Sequence, residues 1–302
     1  MRRKKLVRTL ELLSDFLPRK FPVHSKQSLE RPFFIFGSGR NGSTLLNRIL
    51  NSHSQLFLPS EQYFLGNSIA KFKIYNWLLW RDLVKVIVGE LMPSTGSHTW
   101  QFSGDEVFQG INQSSDKSLE WLIDYLFRSY GEQEKAFKRW GDTTPMNTHY
   151  LPEIWSVFPH ASYVFLIRDG RDVADSYQRG GAEFLGDLAQ PEKAITHWQE
   201  SIKAYDWLSK KTTVHLIQYE QIVREPKQAL SELCEFFGVS FEEQMLNFYQ
   251  HPSSATLYQE PQHANLQHPI NDQSINKWKE RFDEDDSLFS TVQKELKRFG
   301  YL

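Results

Sequence analysis

Residues 33–50 read FFIFGSGRNGSTLLNRIL, and the reading of this stretch decides the fold. Four apolar residues, Phe33–Phe36, lead into a turn carrying Gly37, Gly39 and Gly42, which opens into Leu45, Leu46, Ile49 and Leu50 at helical spacing. The pattern is strand, glycine loop, helix. Glycines let the backbone turn sharply and approach a ligand, and the first N–H groups of the helix, at its positive dipole end, face that ligand. The expected guest is a phosphate.

Composition narrows the setting of this unit. Hydrophobic content of 40% and aromatic content of 14%, with 22 Phe and 9 Trp among 302 residues, describe a packed globular chain and not a disordered one. Length admits one large domain or two modest ones; we expect a helix and linker over 1–30 and one domain over 31–302. A net charge of −2 advertises no nucleic-acid partner. The single cysteine, Cys234, lies at helical spacing with Leu230, Leu233 and Phe237 and reads as a small core residue, with no disulfide framework to build. No apolar run approaches the ~18 to 20 residues of a membrane span. Arg8, Glu11 and Asp15 interrupt what would be a signal-peptide apolar region, so the expectation is a cytoplasmic protein.

Along the chain, residues 1–22 place Leu6, Leu10, Leu13 and Leu17 on one side behind Arg2, Arg3, Lys4 and Lys5. This predicts an amphipathic helix packed on the body; contact with a membrane surface through residues 1–17 is a second use of the same pattern. Leu56–Leu58 predicts a short strand that leaves Glu61 just past its end. Residues 63–92, rich in aromatics, predict helices walling a pocket, and 93–115 reads as loop from its Pro and Gly content. Leu119, Leu122 and Leu126 share a helical face that Gly131 is expected to stop. YVFLIRDGRDVADSY (163–177) repeats strand, turn, helix, with Asp172 suited to the first helical turn. A helix over 191–209, the strand VHLIQYE, a helix ending at Gly238 and a closing helix on Leu288, Val292, Leu296 and Phe299 complete the pattern. Polar residues 250–273 read as a mobile lid or partly disordered segment. Strands alternating with helices imply an α/β fold, a parallel sheet covered on both faces in three layers.

Three ligand classes compete for Gly37–Thr44. Gly37-x-Gly39-x-x-Gly42 has the spacing of a dinucleotide fingerprint, with Glu61 near where a ribose-binding acid would stand; that reading makes the chain an NAD(P)-dependent oxidoreductase. A triphosphatase loop needs a lysine where Ser43 stands. The third class carries its cation inside the loop, as Arg40, with Ser38, Asn41, Ser43 and Thr44 offering side-chain donors and backbone N–H groups to a nucleotide 5′-phosphate.

FIFGSGRNGSTLL resembles the 5′-phosphosulfate-binding loop of the sulfotransferases that use 3′-phosphoadenosine 5′-phosphosulfate, and YVFLIRDGRDVADSY resembles their 3′-phosphate motif, in which Arg168 and the later Ser176 would hold that phosphate. RWGDTTP, the Tyr219 stretch YEQIV, and SINKW at 274–278 extend the similarity, which runs over about residues 31–282 of the chain. The Glu-base, tyrosylprotein-like branch is the nearest in motif pattern. The resemblance implies a P-loop sulfotransferase fold, the phosphosulfate nucleotide as donor with its 3′,5′-bisphosphate (PAP) as product, and a hydroxyl-bearing acceptor. It implies nucleotide contacts from Gly37, Ser38, Gly39, Arg40, Asn41, Gly42, Ser43, Thr44, Arg168, Ser176, Tyr219, Ser274 and Lys277. Arg40 would neutralise the leaving phosphate and Glu61 would be the base. His98 is the alternative base, because the cytosolic branch uses a histidine; His53 has no catalytic claim. Relatives often carry a lysine where this chain has Thr143, which leaves Arg139 or Lys277 to substitute; for Arg139 the plain alternative is a solvated charge beside a core aromatic. No metal is implied. A catalytically silent nucleotide-binding protein is the remaining alternative.

Overall fold

Phe33–Phe36 (β1) is buried at every position, as expected of an interior parallel strand that lacks a solvated face. The computed structural model describes residues 19–91, 104–250 and 266–302. In chain order the remaining principal elements are α1 (Ser43–Asn51), β2 (Leu56–Phe57), α2 (Leu65–Tyr75), α3 (Trp80–Leu91), α4 (Gly104–Gln113), α5 (Leu119–Glu134), β3 (Arg139–Asp142), α6 (Leu151–Val157), β4 (Ser162–Ile167), α7 (Gly170–Gly180), α8 (Ala182–Leu185), α9 (Pro191–Ser209), β5 (Val214–Gln218), α10 (Tyr219–Arg224), α11 (Pro226–Phe237) and α12 (Gln293–Arg298). The β1–β4, β2–β3 and β4–β5 pairings are parallel. Parallel strands need long crossovers, and helices supply them here, which gives the α/β class expected from the sequence. Among the described residues no helix is long and apolar enough to cross a membrane.

Contacts group the chain into two compact units. One comprises residues 33–53 and 162–302. In it β4 pairs with β1, Phe33 opposite Ser162, and with β5, Tyr163 opposite Val214. Phe33 packs on Phe237 of α11 at 4.5 Å between ring centroids. Trp198 and Ile202 of α9 are buried at the helical spacing read from the sequence, and α11 closes on Gly238 as expected. The closing segment differs in form: Ser287–Val292 is a 3-10 helix and only Gln293–Arg298 is α-helical, with Phe289, Val292 and Leu296 buried. Cys234 is fully buried, its sulfur 3.7 Å from that of Met245.

The other unit comprises residues 1–32 and 54–161, and β2 pairs with β3 in it, Leu56 opposite Arg139. Trp140 is its anchor: the indole stacks on Phe127 at 4.0 Å and donates to the Asp124 carboxylate at 2.7 Å. Two expectations fail in this unit. Gly131 does not stop α5, which runs on to Glu134; a Cβ at Gly131 would stand 2.6 Å from carbons of Phe57 and Phe137, so the glycine serves close packing instead of capping. Residues 104–113, read as loop, are helical, because Val107 and Ile111 bury one face and Asp105 and Glu106 favour the first turn. The helix expected over 1–22 lies outside the described residues up to residue 18, and 19–22 is not helical. Of the segment 250–273, residues 251–265 lie outside the described residues.

Candidate active site

The loop between β1 and α1 holds three residues at positive φ: Gly39 at 73°, Arg40 at 52° and Gly42 at 95°. Two are glycines, for which this costs little; Arg40 adopts the left-handed region against its Cβ, a strain of about 1–3 kcal/mol that surrounding contacts must hold. Hydrogen bonds to the loop from β4 and the following helix supply them. Arg168 Nη1 donates to the Arg40 carbonyl at 3.0 Å, Asn41 Nδ2 to the Leu166 carbonyl at 2.7 Å, and the Tyr177 hydroxyl to the Ser38 carbonyl at 2.7 Å. A Cβ on Gly42 would stand 2.4 Å from the Tyr219 ring. The first turn of α1, starting at Ser43, leaves its leading N–H groups without intrahelical acceptors.

Side chains from distant segments converge on this loop. Arg40 Nε donates to Ser176 Oγ on α7 at 3.0 Å. Arg168, at the end of β4, is only 7% exposed; its guanidinium lies 4.7 Å from the centre of the Tyr219 ring and donates to the Ser274 carbonyl. Arg168 Nε is buried without a hydrogen-bond acceptor. An unsatisfied buried donor on a fixed cation is costly unless an anion meets it, and a phosphate fits that need. Burial pushes the Tyr219 hydroxyl above its usual range, against the lowering effects of Arg168 and a hydrogen bond with the Ser274 side chain.

Asp172 ties the C-terminal part of the site in place. Its carboxylate accepts from the Asn276 and Trp278 amides at 2.9 and 3.0 Å and stands 3.9 Å from Arg168 Nη2. Desolvation raises its pKa despite Arg168 and those amides. Behind the strand end, Glu220 accepts from the Asp169 amide at 3.0 Å and from the Tyr301 hydroxyl at 3.1 Å. The supporting roles of Tyr177, Asp172 and Glu220 escaped the sequence reading. Each stands within one to four residues of a residue it did select, but nothing in local spacing names a partner so far along the chain.

The structure thus brings together, within one unit, the predicted residues Gly37–Thr44, Arg168, Ser176, Tyr219 and Ser274. Lys277 follows on the same segment, half-buried at the start of a 3-10 turn, its carbonyl accepting from Arg179. Glu61 belongs to the other unit, past the end of β2 as expected, where its carboxylate accepts from the Tyr63 hydroxyl at 2.7 Å. Thr143 is buried and supplies no cation. Arg139 is not the solvated charge of the plain reading: it is 7% exposed and donates to the Arg31 and Pro32 carbonyls, which makes it a backbone clamp. His98 lies outside the described residues. His53 is fully buried with its ring nitrogen 2.8 Å from the Ser240 carbonyl, a structural contact.

Known proteins resemble this chain in sequence and in fold. A protein from Aquifex aeolicus described as uncharacterized is 23% identical over 80% of this chain, which spans 30% of that protein's length. Protein-tyrosine sulfotransferase 2 of Gallus gallus is 22% identical over 85% of the chain, which spans 65% of it. Among solved structures, the sulfotransferase domain of the Synechococcus PCC 7002 olefin synthase superposes with a TM-score of 0.62 at 24% identity, covering 92% of this chain and 98% of that one. The sulfotransferase domain from the curacin biosynthetic pathway gives 0.63 at 23% identity, covering 91% and 99%. These two likenesses show the fold. The sequence model of the Sulfotransferase family matches residues 32–243, well over half of its length, and the chain belongs to that family.

Proposed function

We propose that the chain transfers a sulfuryl group from 3′-phosphoadenosine 5′-phosphosulfate to an acceptor hydroxyl. The observation that carries this reading is the junction of two phosphate-binding segments: Arg40 bonded to Ser176, with Arg168 closing on the Arg40 carbonyl and keeping a buried donor unspent. The nucleotide supplies the activated sulfuryl group. Arg40, Ser43, Thr44 and the N–H groups of α1 would hold its 5′-phosphate, where negative charge builds as the bridging bond breaks. Arg168 and Ser176 would hold the 3′-phosphate, and Tyr219 and Ser274 would border the nucleoside. Glu61 would take the proton from the acceptor hydroxyl. Both units contribute residues to the family match, so we read 31–302 as one functional domain. Relatives named as protein-tyrosine sulfotransferases make tyrosine peptides the first acceptors to try. A cytoplasmic setting is part of this proposal and rests on the single cysteine.

Calorimetry with PAP and NAD separates this reading from the dinucleotide alternative. PAP should bind and Arg168→Ala should weaken it; binding of NAD alone would overturn the assignment. Glu61→Gln should retain PAP binding and lower kcat by about 10²–10⁴-fold. Unchanged turnover would remove Glu61 from the chemistry.

A further inference from the structure

The strands β2 and β3 run parallel, Leu56 opposite Arg139 and Phe57 opposite Trp140, so the segments that follow them leave the sheet at the same end. Residues 58–64, which carry Glu61, belong to neither strand nor helix. Their backbone must be fixed by other partners. Thr144, two residues past β3, is one: its Oγ accepts from the Gln62 amide at 2.8 Å. An amide N–H can only donate, so the Thr144 hydroxyl spends its own proton on Asp142 Oδ2, at 3.0 Å. Asp142 Oδ1 accepts from the Thr144 amide at 3.0 Å and from Asn147 Nδ2 at 2.8 Å. Thr144 is fully buried and Asp142 2% exposed, and the following Pro145 keeps Thr144 extended, at φ −66° and ψ 112°. Capping the 3-10 helix Pro145–Tyr150 calls only for the two bonds to Oδ1. The hydroxyl bond does something else: it ties Gln62, 82 residues earlier in the chain. Burial pushes the Asp142 carboxyl above its usual range against all three bonds, so the acid is kept inside at a cost.

We propose that Thr144, oriented by Asp142, is a positioning residue for the transfer reaction: it fixes the Glu61–Gln62 peptide so that the Glu61 carboxylate meets the acceptor hydroxyl in one orientation. The inference rests on the reading of Glu61 as the base. Glu61 is then tied twice, at its peptide by Thr144 and at its carboxylate by the Tyr63 hydroxyl, 2.7 Å away. Such a tie matters because a displacement of about 1 Å at a reacting group costs on the order of 10²-fold in rate.

Hydrogen exchange at the Gln62 amide of the full chain reads the bond itself. Thr144→Val, which deletes the hydroxyl, should speed that exchange about tenfold or more, and Thr144→Ser should leave it slow. Steady-state transfer from the phosphosulfate nucleotide to a tyrosine peptide reads the consequence. Thr144→Val should lower kcat by about 10–10²-fold, with PAP affinity and the KM for the nucleotide unchanged, and Thr144→Ser should recover most of the loss. On a Glu61→Gln background Thr144→Val should cost nothing further, because its effect passes through that carboxylate. If Thr144→Val does not fold, Asp142→Asn disturbs the same tie and should likewise speed Gln62 exchange and lower kcat while PAP affinity holds. Unchanged exchange at Gln62, equal losses in the valine and serine variants, or an additive loss on the Glu61→Gln background overturns the positioning role and leaves the reading of Glu61 standing. Full turnover by Glu61→Gln overturns that reading, and the positioning role falls with it.

Discussion

Arg40 shows how much of the site depends on the conformation of single residues. Its positive φ aims the backbone carbonyl at Arg168 and its guanidinium at Ser176 at once. Gly42 is the other fixed point, because its φ of 95° and the adjacent Tyr219 ring each exclude a side chain. Gly42→Ala should therefore reduce PAP affinity at least tenfold while costing about 1–3 kcal/mol of stability; calorimetry and a thermal melt read the two together, and unchanged affinity would mean that the loop is not the phosphate site. The convergence of the β1–α1 loop, Arg168 and Ser176 was legible in the sequence because Gly, Arg and Ser types at fixed spacing encode both a backbone shape and a charge. Asp172 was legible only as a first-turn acid. Its grip on Asn276 and Trp278 spans a hundred residues of chain, a distance that no local pattern expresses.

At the scale of elements, the readings that succeeded rest on burial and those that failed rest on glycine. The buried strands β1 and β4, and the helices α9 and α11, declare themselves through continuous or periodic apolar residues. Gly131 and Gly110 point the other way for one reason: a missing Cβ marks a helix end or a loop by propensity, yet here it admits the rings of Phe57 and Phe137 in one case and the Tyr125 hydroxyl in the other. Close approach to a distant partner is a tertiary demand. Gly131→Ala should accordingly destabilise the protein by about 1–3 kcal/mol through overpacking, despite the better helix propensity of alanine. Denaturant unfolding checks this, and a gain in stability would show that the space beside Gly131 admits a side chain after all.

Over the whole molecule, buried acids are a recurrent feature: burial raises Asp124, Asp142, Asp172 and Glu220 above their usual range, in each case against hydrogen bonds or cations that lower it. The sign follows from linkage. A carboxyl with a raised folded-state pKa contributes most below its unfolded value, near 3.8 for aspartate, and that contribution is lost as pH rises through the folded value. Relative to Asp124→Asn, which cannot titrate, the wild-type protein should lose stability from about pH 4 upward until Asp124 is fully ionised. Parallel pH profiles of the melting temperature for the two proteins would contradict the shift. His215 works in the opposite sense, since burial lowers it from 6.5; its contribution is complete above that value and falls away in acid.

Cys234 gives the protein an internal clock. It is the chain's one thiol, fully buried beside Met245, with burial and Glu242 pushing it up to about 11. A thiolate reagent at neutral pH can reach it only when the packing around α11 opens. The rate of labelling therefore times the opening of the unit that carries the loop, with no competing cysteine to subtract, and PAP, if it binds that unit as proposed, should be read as a slower tick.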